Sequence, residues 1–209
     1  MITVLGRATS LNVQVVMWTI AELDLAAERL DAGFGFGGND TPEFLAMNPN
    51  GLVPVFRDEA VTLYESAAIL RYLAARYARF PFWPEDPVAR APVDMWAEWS
   101  KTTLQPSFLR PVFLPALTGQ PIDPKGRAAF ERNLDILEAQ LAAAGPWILG
   151  RDFTAADIEA GVALYRYFTV DLDRRDRPAL AAYYDRLQER PAYSDHVMID
   201  YAVLRDMMR

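Results

Sequence analysis

NPNGLVPVF (residues 48–56) and YESAAILRYLA (residues 64–74) stand on either side of a short polar turn. The first run ends in β-branched and aromatic residues that favour a strand, yet Pro54 removes a main-chain donor from any ladder it enters. Two readings follow. Either Pro54 lies on an edge strand, or the Val53–Pro54 peptide is cis, turns the chain, and leaves the main-chain groups of Val53 open to a ligand. The second run has helical spacing and opens on Glu65-Ser66. For an isolated pair the favoured reading is an N-terminal cap, although the same helix end offers unpaired amides and a positive dipole end to a carboxylate. The expected order here is strand 53–56, a turn around Asp58, strand 61–63, and a helix over 65–77.

Toward the N-terminus, residues 2–5 form a short β-type run closed by Gly6. Val13, Val16, Met17 and Ile20 then fall at i, i+3, i+4 and i+7, giving one apolar helix face. Residues 27–30 suit a second strand, and GFGFGGNDTP (33–42) is a loop. Together these segments predict a compact α/β unit of about 78 residues.

FPFWPEDP (80–87), with three prolines in eight residues, reads as a linker. The expected domains are 1–79 and 87–209, joined by 80–86. Beyond the linker the patterns are helical. Phe130, Leu134, Leu137 and Leu141 share a face that Gly145-Pro146 ends, and Leu180, Tyr184 and Leu187 mark another helix ending before Pro191. A helix over 88–117 carries Pro106, Pro111 and Pro115 and should kink or break in its second half. Thr154-Ala-Ala-Asp157 is a capping box, flanked by Phe153 and Ile158 as a hydrophobic staple, with a folding role rather than a catalytic one. The aromatics Trp96, Trp99, Phe108, Phe113, Tyr165 and Phe168 are expected to be mostly core, with a few left to meet a ligand.

Composition narrows the chemistry. A formal charge of −7 opposes phosphate backbones and anionic membranes, so no nucleic-acid partner and no membrane partner are expected. The N-terminal segment has no signal-peptide pattern, and its longest charge-free stretch, residues 8–21, falls short of the roughly 20 apolar residues of a membrane span. A soluble, cytoplasmic protein is the expectation. With no cysteine and a single histidine, His196, no thiolate metal site or protein-thiol nucleophile can form, and no metal is expected. His196 is read as a surface or capping residue. Any thiol chemistry must draw its sulfur from a small molecule.

NPNGLVPVF followed by YESAAILRYLA resembles the glutathione-binding half of cytosolic glutathione transferases, with the loop, the proline and the Glu-Ser pair in order. FTAADI (153–158) and RLQERPAY (186–193) resemble the helical half of the same family. The likeness spans essentially the whole chain and implies a thioredoxin-like α/β domain followed by an all-helical domain. It implies glutathione as co-substrate, no metal, a small hydrophobic co-substrate and a homodimer. It further implies that Pro54 is cis, that the main chain of Val53 pairs with the cysteinyl backbone, and that Glu65 and Ser66 take the ammonium and carboxylate of the γ-glutamyl end. Leu52 stands where the family often has a polar or basic residue, which leaves the glycyl carboxylate to Asn39 or Asn50.

The sulfur contact belongs at the end of the first strand or the start of the first helix. The first tyrosine is Tyr64 and cysteine is absent, so Thr9, Ser10 and Asn12 are the candidates. Ser10-Leu11-Asn12 resembles the Ser-x-Pro of theta-like classes and the Thr-x-Asn of the bacterial nu class; taken alone, Ser10 reads as a plain N-cap. A hydroxyl donating to a thiolate, a second donor from Asn12 and the helix N-terminus would favour ionised sulfur without a general base. Three functions are carried forward: transfer of glutathione to hydrophobic electrophiles, nu-like reduction of disulfides or peroxides, and glutathione or partner binding without turnover.

Overall fold

The structure, a computed structural model, describes residues 1–206. It divides into two units, one comprising Met1–Ala78 with the chain from Ala192 onward, the other Arg79–Pro191.

The first unit is built on a four-stranded sheet: β1 (Ile2–Leu5), β2 (Ala27–Leu30), β3 (Val55–Arg57) and β4 (Thr62–Tyr64), in the order β2-β1-β3-β4. β1 and β2 are parallel, with Ile2 opposite Ala27, whereas β3 runs antiparallel to both β1 and β4. The parallel pair needs a crossover, supplied by α1 (Leu11–Glu22). The antiparallel hairpin needs only a turn, and Asp58 shapes it by accepting from the amides of Ala60 (2.8 Å) and Val61 (2.9 Å). The Tyr72 hydroxyl of α3 (Ser66–Tyr77) donates to the same carboxylate at 2.6 Å, tying helix to hairpin. Burial raises the Asp58 carboxyl, but the Tyr72 hydroxyl and the two amides outweigh it and hold the group below its ordinary range.

α1 and α3 close over one core made of Val4, Val13, Val16, Ile20, Phe56, Ile69 and Leu73. Each such burial stabilises the fold by about 1.5–3 kcal/mol. α1 differs from the single apolar face its sequence suggests, because Gln14, Val15, Trp18 and Thr19 are buried too. The C-terminal segment covers that second face: Tyr193, in α11 (Pro191–His196), meets Trp18 edge-on at 4.9 Å. His196 is half-buried in the last turn of α11; burial pushes its imidazole down, with Asp195 opposing and Arg29 adding to the shift.

The second unit contains α4 (Pro87–Trp99), α5 (Gln105–Phe108), α6 (Leu114–Thr118), α7 (Pro124–Ala144), α8 (Ala155–Gly161), α9 (Leu164–Thr169) and α10 (Pro178–Gln188). Among the described residues no strand follows Tyr64, apart from the single bridge between Trp147 and Gly150. The second half of the 88–117 segment, where the prolines predict a kink or break, leaves regular α-helical geometry. Two π-helical stretches, Ser100–Leu104 and Leu109–Phe113, carry the helical path on to α6. A wider turn relieves the clash and the lost donor that proline imposes on α-helical bonding, so prolines 106, 111 and 115 fit without ending the path. Phe108 and Phe113 are buried, and Phe108 stacks on Phe130 at 4.8 Å. Arg177, buried before α10, binds Glu131 (2.7 Å) and Asp135 (2.6 Å) of α7.

The capping box is formed. One oxygen of Asp157 accepts from the Thr154 amide (2.8 Å) and hydroxyl (3.1 Å), the other from the Ile148 amide and the Tyr183 hydroxyl (3.1 Å each). Full burial pushes this carboxyl up to about 6, against the pull of its donors.

Candidate functional site

The turn between β1 and α1 begins at Gly6, whose φ is 152°. A side chain there would meet Val13 at 2.5 Å and Val53 at 3.0 Å, so only glycine lets the turn lie this close to the segment before β3. Ser10 follows as the N-cap residue of α1, its main-chain carbonyl accepting from the Gln14 amide at 2.9 Å. Its hydroxyl, although buried, makes no capping bond. The plain N-cap role is therefore not what this side chain performs. Thr9 is half-buried just before it.

Ser66 opens α3, with its side chain buried. Its hydroxyl donates to Oδ1 of Asn12 at 3.4 Å, a long bond that spans 54 residues of sequence. The sulfur candidates on α1 and the carboxylate candidate on α3 thus share one corner of the first unit. Glu65, just ahead of Ser66, is exposed and sits at φ 68°, ψ 107°. That left-handed backbone costs a residue with a side chain about 1–3 kcal/mol and is most often retained at binding sites. Nothing in the sequence signals it, because φ here is imposed by joining β4 to α3 at this angle.

The Val53–Pro54 peptide is cis. Val53 lies outside β3, and among the described residues its main chain takes no part in the hydrogen bonds of the loops or the sheet. The preceding loop is held by three asparagines. Asn39 Nδ2 donates to the Gly51 carbonyl (2.6 Å), Asn48 Nδ2 to the Leu52 carbonyl (2.6 Å), and Asn50 Nδ2 to Asn48 Oδ1 (3.0 Å). Asn48, almost wholly buried, is the centre of this brace and was not among the candidates read from the sequence. Leu52 is 64% exposed and offers no charge.

One further group lies beside these. Arg7, in the Gly6–Ser10 turn, is half-buried, and burial holds its guanidinium below the ordinary range. Among the described residues, no group of three or more His, Cys, Asp or Glu side chains is placed to hold a metal ion, and no helix is long and apolar enough to cross a membrane.

Known proteins share both the sequence and the fold of this chain. The family model described as glutathione S-transferase, N-terminal domain, matches residues 1–75, and that for the C-terminal domain matches residues 105–186. Glutathione S-transferase GstB of Escherichia coli (strain K12) is 39% identical over 208 residues, 95% of this chain and 99% of that protein. The theta class glutathione S-transferase of Xanthomonas axonopodis pv. citri, solved with glutathione bound, superposes with a TM-score of 0.86 at 38% identity, covering 95% of this chain and 98% of that one. Glutathione transferase BmGSTD1 of Bombyx mori gives a TM-score of 0.89 at 26% identity, over 99% of this chain and 97% of that one.

Proposed function

The chain belongs to the glutathione S-transferase family, and we propose that it transfers glutathione, ionised at sulfur, to a hydrophobic electrophile. In this reading the γ-glutamyl carboxylate accepts from the Ser66 hydroxyl and the first amides of α3, and Glu65 pairs with the ammonium. The open main chain of Val53 pairs with the cysteinyl backbone. Ser10 donates its hydroxyl to the sulfur, with Asn12 as the second donor and Thr9 as the neighbouring hydroxyl.

The observation that carries the reading is the Ser66–Asn12 contact at 3.4 Å, since it brings the γ-glutamyl end and the sulfur end within one ligand's reach. The uncapped Ser10 hydroxyl adds to it. A hydrogen bond to a charged acceptor is worth about 1.5–3 kcal/mol and the helix dipole about 0.3–1 kcal/mol. At about 1.4 kcal/mol per pKa unit, together they lower the thiol by roughly one to three units. That is enough to make thiolate near neutral pH without a general base.

The same reading takes 1–79 as the glutathione-binding domain and 87–209 as the helical domain, in a cytoplasmic homodimer. Sedimentation should give about twice the 23.5 kDa chain mass; a species of 23.5 kDa alone at micromolar concentration would remove the dimer. The test of function is a panel with glutathione and, in turn, an aryl halide, a small disulfide and a hydroperoxide. Conjugation of the aryl halide is expected. Turnover of the disulfide or hydroperoxide with none of the aryl halide would replace transfer by nu-like reduction.

A further inference from the structure

We infer that Arg7 holds the glycyl carboxylate of glutathione, from the turn that also carries Ser10. The inference rests on the glutathione reading above and names a contact that reading lacks.

Arg7 is a cation without an anion. Its Nε is buried with no hydrogen-bond partner, and among the described residues no carboxylate lies within ion-pairing distance of its guanidinium. A desolvated, unpaired charge is costly and persists where a ligand supplies the missing partner. The side chain is nevertheless well positioned. Its guanidinium lies over the ring of Phe34, 4.8 Å from the centroid, while its main chain donates to the Ala32 carbonyl (3.2 Å) and accepts from the Ser10 amide (3.1 Å). Phe34 itself is held at φ 54°, an unusual conformation for a bulky residue, with its ring 46% exposed.

This pair lies next to Val53, which the reading above pairs with the cysteinyl backbone: Gly6 and Gly33, the neighbours of Arg7 and Phe34, both pack against it. Gly33, next to Phe34, packs so tightly that a side chain on it would meet Val53 at 3.2 Å and Asn39 at 3.7 Å. The segment bearing Phe34 therefore lies directly against Val53, within reach of a ligand paired with the main chain of Val53. Of glutathione's charged groups, the γ-glutamyl end has Glu65 and Ser66 and the sulfur has Ser10 and Asn12. Only the glycyl carboxylate is left, and the groups expected to take it are poorly suited. Leu52 is apolar, and the amides of Asn39 and Asn50 already donate within their own loop. A permanent anion beside a permanent, half-desolvated cation completes the charge balance.

The test uses the full chain and two forms of the co-substrate, glutathione and its glycyl monoethyl ester, which keeps the shape and loses the charge. Wild type should favour glutathione over the ester by roughly tenfold to a hundredfold in KM, as expected for a hydrogen-bonded charge pair. Arg7→Met should raise the KM for glutathione by that same factor, leave the ester within about twofold, and so abolish the preference; Arg7→Lys should restore part of it. Without ligand, Arg7→Met should melt at or above wild type, because it removes an uncompensated charge. Equal rises in KM for both co-substrates would overturn the inference. So would an intact preference combined with an upward shift of the pH–rate profile, since Arg7 would then face the sulfur. If calorimetry shows that wild type does not bind glutathione at all, the underlying reading falls first, which separates the two failures.

Discussion

Replacing Asp157 with alanine tests how much of the helical unit hangs on one buried carboxylate. The side chain is fully buried and accepts from the amides of Ile148 and Thr154 and from the hydroxyls of Thr154 and Tyr183. Alanine leaves at least three of those donors without a partner in a dry interior, at about 1–3 kcal/mol each. Against this, the mutant no longer buries a charge at neutral pH, and a carboxyl raised to about 6 from 3.8 represents about 3 kcal/mol of unfavourable burial. Taking about 2 kcal/mol per donor, the net expectation at pH 7 is a loss of about 3 kcal/mol, which for a chain of this size lowers Tm by about 6–12 °C.

The pH dependence carries a sign. The folded carboxyl binds its proton more tightly than the unfolded one, so wild-type stability rises as pH falls from about 6 toward 4 and is lost again as pH rises. Asp157→Ala lacks that gain, so its deficit should widen by about 1–2 kcal/mol between pH 7 and pH 4.5. Urea unfolding followed by tryptophan fluorescence reads this directly, because Trp147 packs edge-on against Tyr183 at 5.8 Å. A loss below about 1 kcal/mol at pH 7 would refute the hydrogen-bond argument. A deficit constant across the pH range would refute the raised carboxyl.

Two further outcomes bear on the site. Ser10→Ala should lower kcat about tenfold, leave the KM for glutathione within about twofold, and move the pH–rate profile up by about one unit. Thr9→Ala and Asn12→Ala belong in the same series, and full activity in all three would leave backbone amides as the only stabilisers of the thiolate. Glu65→Gly should raise stability by about 1 kcal/mol, since glycine accepts φ 68° without strain, while weakening glutathione binding about tenfold through loss of the ammonium partner. A lower melting temperature in that variant would show that the Glu65 backbone is not strained.

The sequence was most informative where physical chemistry acts over a few residues. Proline at position 54 marked the turn that leads into β3, the Val13–Ile20 spacing marked the crossover helix, Asp58 marked the hairpin turn, and Thr154-to-Asp157 marked the start of α8, all from rules that operate within one or two turns of chain. The order of those elements was enough for the α/β unit followed by helices.

What sequence could not carry was closure between distant segments. α1 is buried on both faces because Tyr193 and its neighbours return to cover it, and no periodicity within residues 11–22 encodes a covering segment about 170 residues away. The prolines after α4 predict a kink or break because a local rule counts the lost donor; that the chain answers them by widening to π turns is decided by its packing. The contact of Ser66 with Asn12, the left-handed backbone of Glu65 and the unpaired charge of Arg7 arise only when β1, β3 and α3 are brought together. Residue type limits which groups can bind an anion or a thiolate, but the distances that join them into one site are set by tertiary packing.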